Sequence, residues 1–307
     1  MLIQINNVTK KYQNHTALSH INLDIPSGII FGLLGPNGAG KTSLIRILTQ
    51  ITEADEGSIL LDGVPLNRTH VQAMGYLPEE RGLYKKMQVA DQLLYLAELK
   101  GIPNKEARQR LKYWVDKFEI KTWLGKKVEE LSKGMQQKIQ FIGTVLHEPK
   151  LIILDEPFSG FDPINAQILT EEILALKEKG ATIIFSTHRM DSVELLCDKI
   201  ALINLSEKVL DGAVPQLKEQ YKKNQFEVQF EGQLNLNQDL FNLVTSEEKY
   251  GVQKISISTQ NRISNREILN HLLQSNINLL SFKEELPSME EIFIEAVKQK
   301  NNLHHAE

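Results

Sequence analysis

Gly35-Pro36-Asn37-Gly38-Ala39-Gly40-Lys41-Thr42-Ser43 fits the pattern G-x-x-x-x-G-K-[ST] at every constrained position. Ile29-Ile30-Phe31-Gly32-Leu33-Leu34 precedes it, an apolar run short enough for a buried strand, and Leu44-Ile45-Arg46-Ile47-Leu48 after it reads as a helix. A strand, a glycine-rich loop and a helix N-terminus make an anion site. Backbone N–H groups converge on a phosphate there, and the helix dipole adds positive potential. In that setting Lys41 reaches the β- and γ-phosphates and the Thr42 hydroxyl binds Mg²⁺. Gly35 to Ser43 is therefore expected to cradle a nucleoside triphosphate within an α/β core.

The bulk numbers narrow the class. A chain of 307 residues exceeds the usual size of one domain, so two are expected. Lys+Arg number 35 against 39 Asp+Glu, a net charge of −4, which is no footprint for wrapping nucleic acid. No nucleic-acid partner is expected. The single cysteine, Cys197, has no internal disulfide partner, which suits a reducing cytoplasm, and reads as a small buried apolar residue. No apolar run approaches the roughly 20 residues of a membrane span. Met1-Leu2-Ile3-Gln4 lacks a signal peptide's charged and apolar regions. The expectation is a soluble protein whose membrane role, if any, runs through a partner.

Ile3 and Ile5, then Ile21, Leu23 and Ile25, alternate with polar residues and predict two antiparallel strands joined through Tyr12 to Leu18. Asp62-Gly63 after Ser58-Ile59-Leu60-Leu61 is a hairpin signal. From Val89 to His147 the pattern is helical. Leu111, Trp114, Val115 and Phe118 share one helix face, as do Ile139, Ile142 and Leu146, and these apolar side chains read as core packing. An all-helical insert, residues 88–147, thus interrupts the α/β core.

Leu151-Ile152-Ile153-Leu154 then reads as a strand buried on both faces, ending in Asp155-Glu156-Pro157. Carboxylates at the C-terminal end of such a strand sit where open α/β sheets place ligands. Asp155 is expected to hold Mg²⁺, and Glu156 to face the γ-phosphate as base for the attacking water. Ala181-Thr182-Ile183-Ile184-Phe185 is another such strand, delivering Ser186-Thr187-His188 to the same edge, where His188 is expected to sense the γ-phosphate.

This order of motifs resembles the ATP-binding cassette family over roughly residues 2–215. Leu131-Ser132-Lys133-Gly134-Met135-Gln136-Gln137 resembles its signature motif, Ser159-Gly160-Phe161-Asp162 its D-loop, and His188 its switch histidine. Tyr12 resembles the aromatic residue that stacks on adenine. Glu79, within Met74-Gly75-Tyr76-Leu77-Pro78-Glu79-Glu80-Arg81-Gly82-Leu83-Tyr84, stands at the Q-loop position, where its carboxylate would ligate Mg²⁺ and bear on hydrolysis. Two departures stand out: Lys133 and Met135 replace the glycine and glutamine of the usual L-S-G-G-Q, and Glu79 replaces a glutamine. The resemblance implies a P-loop NTPase fold, with a mixed, mostly parallel sheet, an antiparallel β subdomain and the helical insert. It also implies ATP as substrate, Mg²⁺ as cofactor, and a dimer in which Ser132, Gly134 and Asp162 act on nucleotide held by the opposite subunit. One cassette per chain makes a homodimer the expectation.

The Glu79–Tyr84 and signature stretches look most like ATPase subunits of ABC-2-type exporters, including those linked to sodium extrusion. The resemblance then implies a separate integral membrane permease and a cytoplasmic place on the inner face of the membrane. The alternative is a soluble cassette ATPase acting on a ribosome, DNA or assembly machinery. Translation-type relatives usually carry two cassettes per chain and repair-type relatives a long coiled coil, and this chain has neither.

The expected domain limits are 1–215 for the cassette, 216–300 for a small α+β accessory domain and 301–307 for a tail containing His304 and His305. Pro215 to Asn224 is polar and lysine-rich and reads as a connection. Phe226, Val228 and Phe230 predict one strand, Ile255 and Ile257 a second, and Ile277, Leu279 and Phe282 a third. Ile268, Leu269, Leu272 and Leu273 form a helix face, and Ser288-x-x-Glu291 opens a last helix. No catalytic constellation is visible in this part.

Overall fold

The computed structural model describes residues 1–80, 82–237, 239–259 and 263–304. Arg81 and His305 lie outside the described residues. Strands β1 (Ile3–Tyr12) and β2 (His15–Ile25) form an antiparallel hairpin longer than its alternation suggested. Most of the stretch expected to link them is strand, because Tyr12 pairs with His15 and only Gln13-Asn14 turn. Irregular register near Lys10 had hidden the alternation there.

The buried strand β3 (Ile30–Leu34) leads into the glycine-rich loop and helix α1 (Lys41–Leu48). Next come β4 (Glu56–Leu61) and β5 (Val64–Pro65), turning at Asp62 and Gly63, both with positive φ, as a tight two-residue hairpin demands. Helix α2 (Arg68–Gln72) and strand β6 (Met74–Leu77) follow. The helical insert comprises α3 (Val89–Leu99), α4 (Asn104–Lys117) and α5 (Lys133–Val145). Trp114, Phe118 and Phe141 pack ring to ring in its core, with centroids 5.8–6.1 Å apart.

Strand β7 (Leu151–Asp155), helix α6 (Pro163–Glu178), strand β8 (Thr182–Thr187), helix α7 (Met190–Leu196) and strands β9 (Lys199–Asn204) and β10 (Glu207–Ala213) complete the α/β part. The central sheet has the order β10-β9-β3-β8-β7-β6. Neighbours from β9 to β6 run parallel, and β10 is antiparallel to β9. A second sheet, β2-β1-β4-β5, is antiparallel throughout. Every residue of β3, β7 and β8 is buried, which accounts for their unbroken apolar runs. Placing β3 beside β8, and β8 beside β7, brings the ends of three strands to one edge of the sheet.

The remaining elements are helix α8 (Val214–Gln220), strands β11 (Gln225–Gly232), β12 (Phe241–Lys249) and β13 (Val252–Thr259), helix α9 (Asn265–Gln274), strand β14 (Ile277–Glu285) and helix α10 (Met289–His304). The antiparallel sheet β12-β13-β11-β14 packs Phe226, Val228, Phe230, Ile255 and Ile257 against Ile268 and Leu272 of α9. Three sequence expectations change here. Residues 214–220 are helical where a connection was expected, with Leu217 buried. Strand β12 carries no apolar alternation, since Phe241 is its one buried residue, and it pairs with β13. The expected tail from 301 begins inside α10, which runs to His304.

Two compact units result, Met1–Val214 together with the chain from Ala296 onward, and Pro215–Glu295. Lys300 illustrates the return to the first unit: it pairs with Glu207 at 2.5 Å and donates to the Lys208 carbonyl at 3.3 Å. Among the described residues no helix is long and apolar enough to cross a membrane.

Candidate nucleotide site

The loop between β3 and α1 adopts a shape that only glycine permits at two points. Gly35 has φ +146°, and a Cβ there would stand 2.1 Å from the Ile203 carbonyl oxygen of β9. Gly40, the N-cap of α1, has φ +116°, and its Cβ would meet the Ala17 carbonyl oxygen at 2.3 Å. The loop is thus pressed between the two sheets, and its tip, Pro36 to Gly38, is exposed. Lys41 is buried to 7% exposure. Its Nζ donates to the Gly35 carbonyl at 2.7 Å and to the Pro36 carbonyl at 3.1 Å, curling back over the loop it belongs to. Burial holds its pKa below the ordinary lysine value, opposed by the carboxylates of Glu156, Asp155 and Glu79.

Those carboxylates face the loop across a cleft of about 250 Å³. Its walls include Tyr12, Asn37, Gly38, Lys41, Thr42 and Ser43, with Glu79, Asp155, Glu156 and His188 opposite. Residues from strand ends far apart in sequence therefore meet here. Asp155 is buried, and that burial raises its pKa; the Ser186 hydroxyl opposes the rise, and Glu79 and Glu156 add to it. Glu156 has φ +50°, an uncommon conformation for a non-glycine residue, held by its N–H donating to the Ser186 carbonyl at 2.9 Å. That twist turns its side chain toward β8. Oε1 accepts from the His188 N–H at 2.9 Å and lies 2.7 Å from His188 Nδ1, while Oε2 accepts from Thr187 Oγ1 at 3.1 Å.

Glu79 follows β6 and is exposed at the cleft. Tyr76 lies behind it, its phenol pushed up to about 12 chiefly by burial, with the Asp155 charge adding to the shift. Oxygen donors thus converge from Thr42, Asp155 and Glu79, while no three His, Cys, Asp or Glu side chains gather into a metal centre among the described residues. This hydroxyl-and-carboxylate set fits Mg²⁺, which takes a few protein oxygens and completes its shell from phosphate and water.

Ser132, Gly134 and Asp162 do not line this cleft. Ser132 is the N-cap of α5, accepting from the Met135 N–H at 3.3 Å. Asp162 caps α6, accepting from the Asn165 N–H at 2.9 Å, and these hydrogen bonds hold its carboxyl below the ordinary range. The two caps are neighbours: a Cβ on Gly134 would lie 3.3 Å from the Gly160 carbonyl oxygen. Lys133 sits in the first turn of α5, exposed and without positive φ, so replacing a glycine there needs no unusual backbone.

His15 and Ala17 line the cleft and were missed by the sequence reading. The signal for His15 was its hairpin pairing with Tyr12, which becomes visible only once the strands are known to extend to the turn. A larger cavity of about 650 Å³ opens elsewhere, between α4 and the starts of β7 and β8. Two of its cations are engaged: Arg110 with Glu106, Glu148 and the Leu146 carbonyl, and Lys179 over the Tyr113 ring.

Comparison with known proteins agrees with this geometry. Residues 18–159 match the ABC transporter family, and residues 212–297 match the C-terminal domain of DrrA1-3-like ATP-binding proteins. The chain is 42% identical to YhaQ, an ABC transporter ATP-binding protein of Bacillus subtilis, over 96% of its own length and 98% of that protein's. It is 31% identical to the linearmycin resistance ATP-binding protein LnrL of Bacillus subtilis, covering 70% of each. A solved ATP-binding subunit of an ABC transporter superposes with a TM-score of 0.68 at 28% identity, over 72% of this chain and 93% of that one. A phosphate loop facing strand-end carboxylates, with a relative 42% identical over nearly the full length of both chains, leads to one conclusion: the chain belongs to the ATP-binding proteins of ABC transporters and is an ATPase of that family.

Proposed function

We propose that the chain is the ATPase subunit of an exporter, binding Mg·ATP in the Lys41 cleft and driving a separate integral membrane permease from the cytoplasmic face. The observation that carries the reading is the convergence of Lys41, Thr42, Asp155, Glu156 and His188 on one cleft. Lys41 exchanges its bonds to the Gly35 and Pro36 carbonyls for β- and γ-phosphate oxygens, and the backbone N–H groups of the loop and the start of α1 complete the cradle. Thr42, Asp155 and Glu79 would hold Mg²⁺, which supplies positive charge to the phosphate oxygens. Tyr12 offers its ring to the base. Glu156 accepts a proton from the attacking water, and His188, hydrogen-bonded to it, orients the carboxylate and contacts the γ-phosphate.

Ser132, Gly134 and Asp162, adjacent to one another and outside the cleft, complete the site of a second copy in a dimer. Binding energy then closes two subunits and hydrolysis reopens them. The relative named for linearmycin resistance supports the outward direction. Co-purification from detergent-solubilised membranes tests the assignment: the tagged chain should bring down an integral membrane protein in stoichiometric amount. Recovery with ribosomes or other soluble machinery, and no membrane protein, would establish the soluble alternative.

A further inference from the structure

Tyr12 ends β1, and the ring offered to the cleft does not stand alone. Lys10 Nζ lies over it, 5.4 Å from the centroid, and Lys10 is absent from the cleft walls. The ammonium therefore covers one face of the ring and leaves the other for a base. Lys10 is itself fixed: its side chain is 13% exposed and Nζ donates to Asp55 Oδ1 at 2.9 Å. Asp55 also accepts from the Lys11 N–H at 2.6 Å through Oδ2, and its own N–H donates to the Thr9 carbonyl at 3.0 Å. These three bonds clasp the segment Thr9–Lys11, where the β1–β2 register slips on both sides of Lys10. A slipped strand end would otherwise leave Tyr12 free to turn about the hairpin tip.

We propose that Lys10 and Asp55 are positioning residues for the nucleobase, Asp55 anchoring Lys10 and Lys10 backing the Tyr12 ring so that one face alone is open to a purine. The proposal rests on the reading of Tyr12 as the base platform. A cation on one face withdraws π density from the ring and strengthens stacking with an electron-rich base on the other. The arrangement bears on base binding and leaves the triphosphate contacts alone, because Lys10 is held by Asp55 and does not line the cleft.

The test is equilibrium binding to the full chain, measured with ATP and, separately, with inorganic tripolyphosphate, which has no base. Lys10→Met should weaken ATP about two- to fivefold, the size of an exposed cation–π contact. It should leave tripolyphosphate affinity unchanged, and Lys10→Arg should restore ATP binding. Asp55→Asn, which keeps the shape but loses the charge, should weaken ATP in the same direction. In a Tyr12→Ala background Lys10→Met should add nothing. Equal losses for ATP and tripolyphosphate would make Lys10 a general phosphate cation and overturn the proposal. So would full additivity with Tyr12→Ala. The underlying platform reading fails in a different way, by Tyr12→Ala leaving ATP affinity at the wild-type value.

Discussion

His188 Nδ1 lies 2.7 Å from Glu156 Oε1, and the His188 backbone N–H donates to the same oxygen at 2.9 Å. With Thr187 Oγ1 on Oε2, each carboxylate oxygen is engaged by the end of β8. The proposed base is therefore held in place by the residue expected to sense the γ-phosphate.

Glu156→Gln should bind Mg·ATP, dimerise and stall. Glutamine keeps the shape, its one oxygen can still accept from the His188 N–H while its amide donates to the Thr187 hydroxyl, but it takes no proton from water. Loss of a general base costs about 10²–10⁴-fold in turnover. Glu79, the exposed carboxylate of the cleft, is the residue able to substitute in part. Residual activity in the single variant that disappears in Glu79→Gln with Glu156→Gln would assign it that role. A monomeric single variant hydrolysing at the wild-type rate would exclude Glu156 as the base.

Lys41→Ala should weaken ATP about 10- to 100-fold, the scale of losing a charged hydrogen-bond donor to phosphate. The fold should survive, since Lys41 bonds only to carbonyls of its own loop. Titration calorimetry with ATP, alongside a denaturation curve, separates the two. Undiminished affinity would sink the phosphate role.

The loop glycines should divide by environment. Gly35→Ala drives a methyl group into the Ile203 carbonyl and should cost about 1–3 kcal/mol of stability as well as ATP binding. Gly38 has φ +80° but nothing within 4 Å of its missing Cβ, so Gly38→Ala should cost only the backbone strain, about 1 kcal/mol. Matching losses in urea denaturation would mean that the close approach of β9 to the loop does not constrain it.

His147 predicts an acid sensitivity. Burial lowers its pKa to about 4, Lys100 and Arg110 add to the shift, and the bond from Nε2 to the Met74 carbonyl at 3.1 Å opposes it. Because the folded pKa lies below the unfolded value, the unfolded state binds more protons between pH 6.5 and 4, so stability falls as pH drops through that window. Between pH 7.5 and pH 5 the loss from this residue is about 2 kcal/mol. His147→Gln keeps a donor for Met74 and should flatten the pH dependence by that amount. An unchanged slope in urea denaturation would show that His147 does not report on folding.

The phosphate loop, the two carboxylates at the end of β7 and the histidine after β8 were legible in sequence because each is local. Backbone shape, strand burial and the residue type at a strand end are written in a few consecutive positions, and buried parallel strands leave unbroken apolar runs. The helical insert was legible for the same reason, through its periodic face. Strand β12 was not, since a strand paired on one side and solvated on both faces beyond Phe241 needs no apolar pattern. Helix α8 was hidden by its polar sequence. Only the tertiary structure decided that the Gly35 loop is shaped by a carbonyl of Ile203, that His188 grips Glu156, and that Asp55 and Lys10 back Tyr12. These are contacts between segments distant in the chain. Sheet order and hairpin register set them, and no local pattern of residues encodes which strand end will lie beside which.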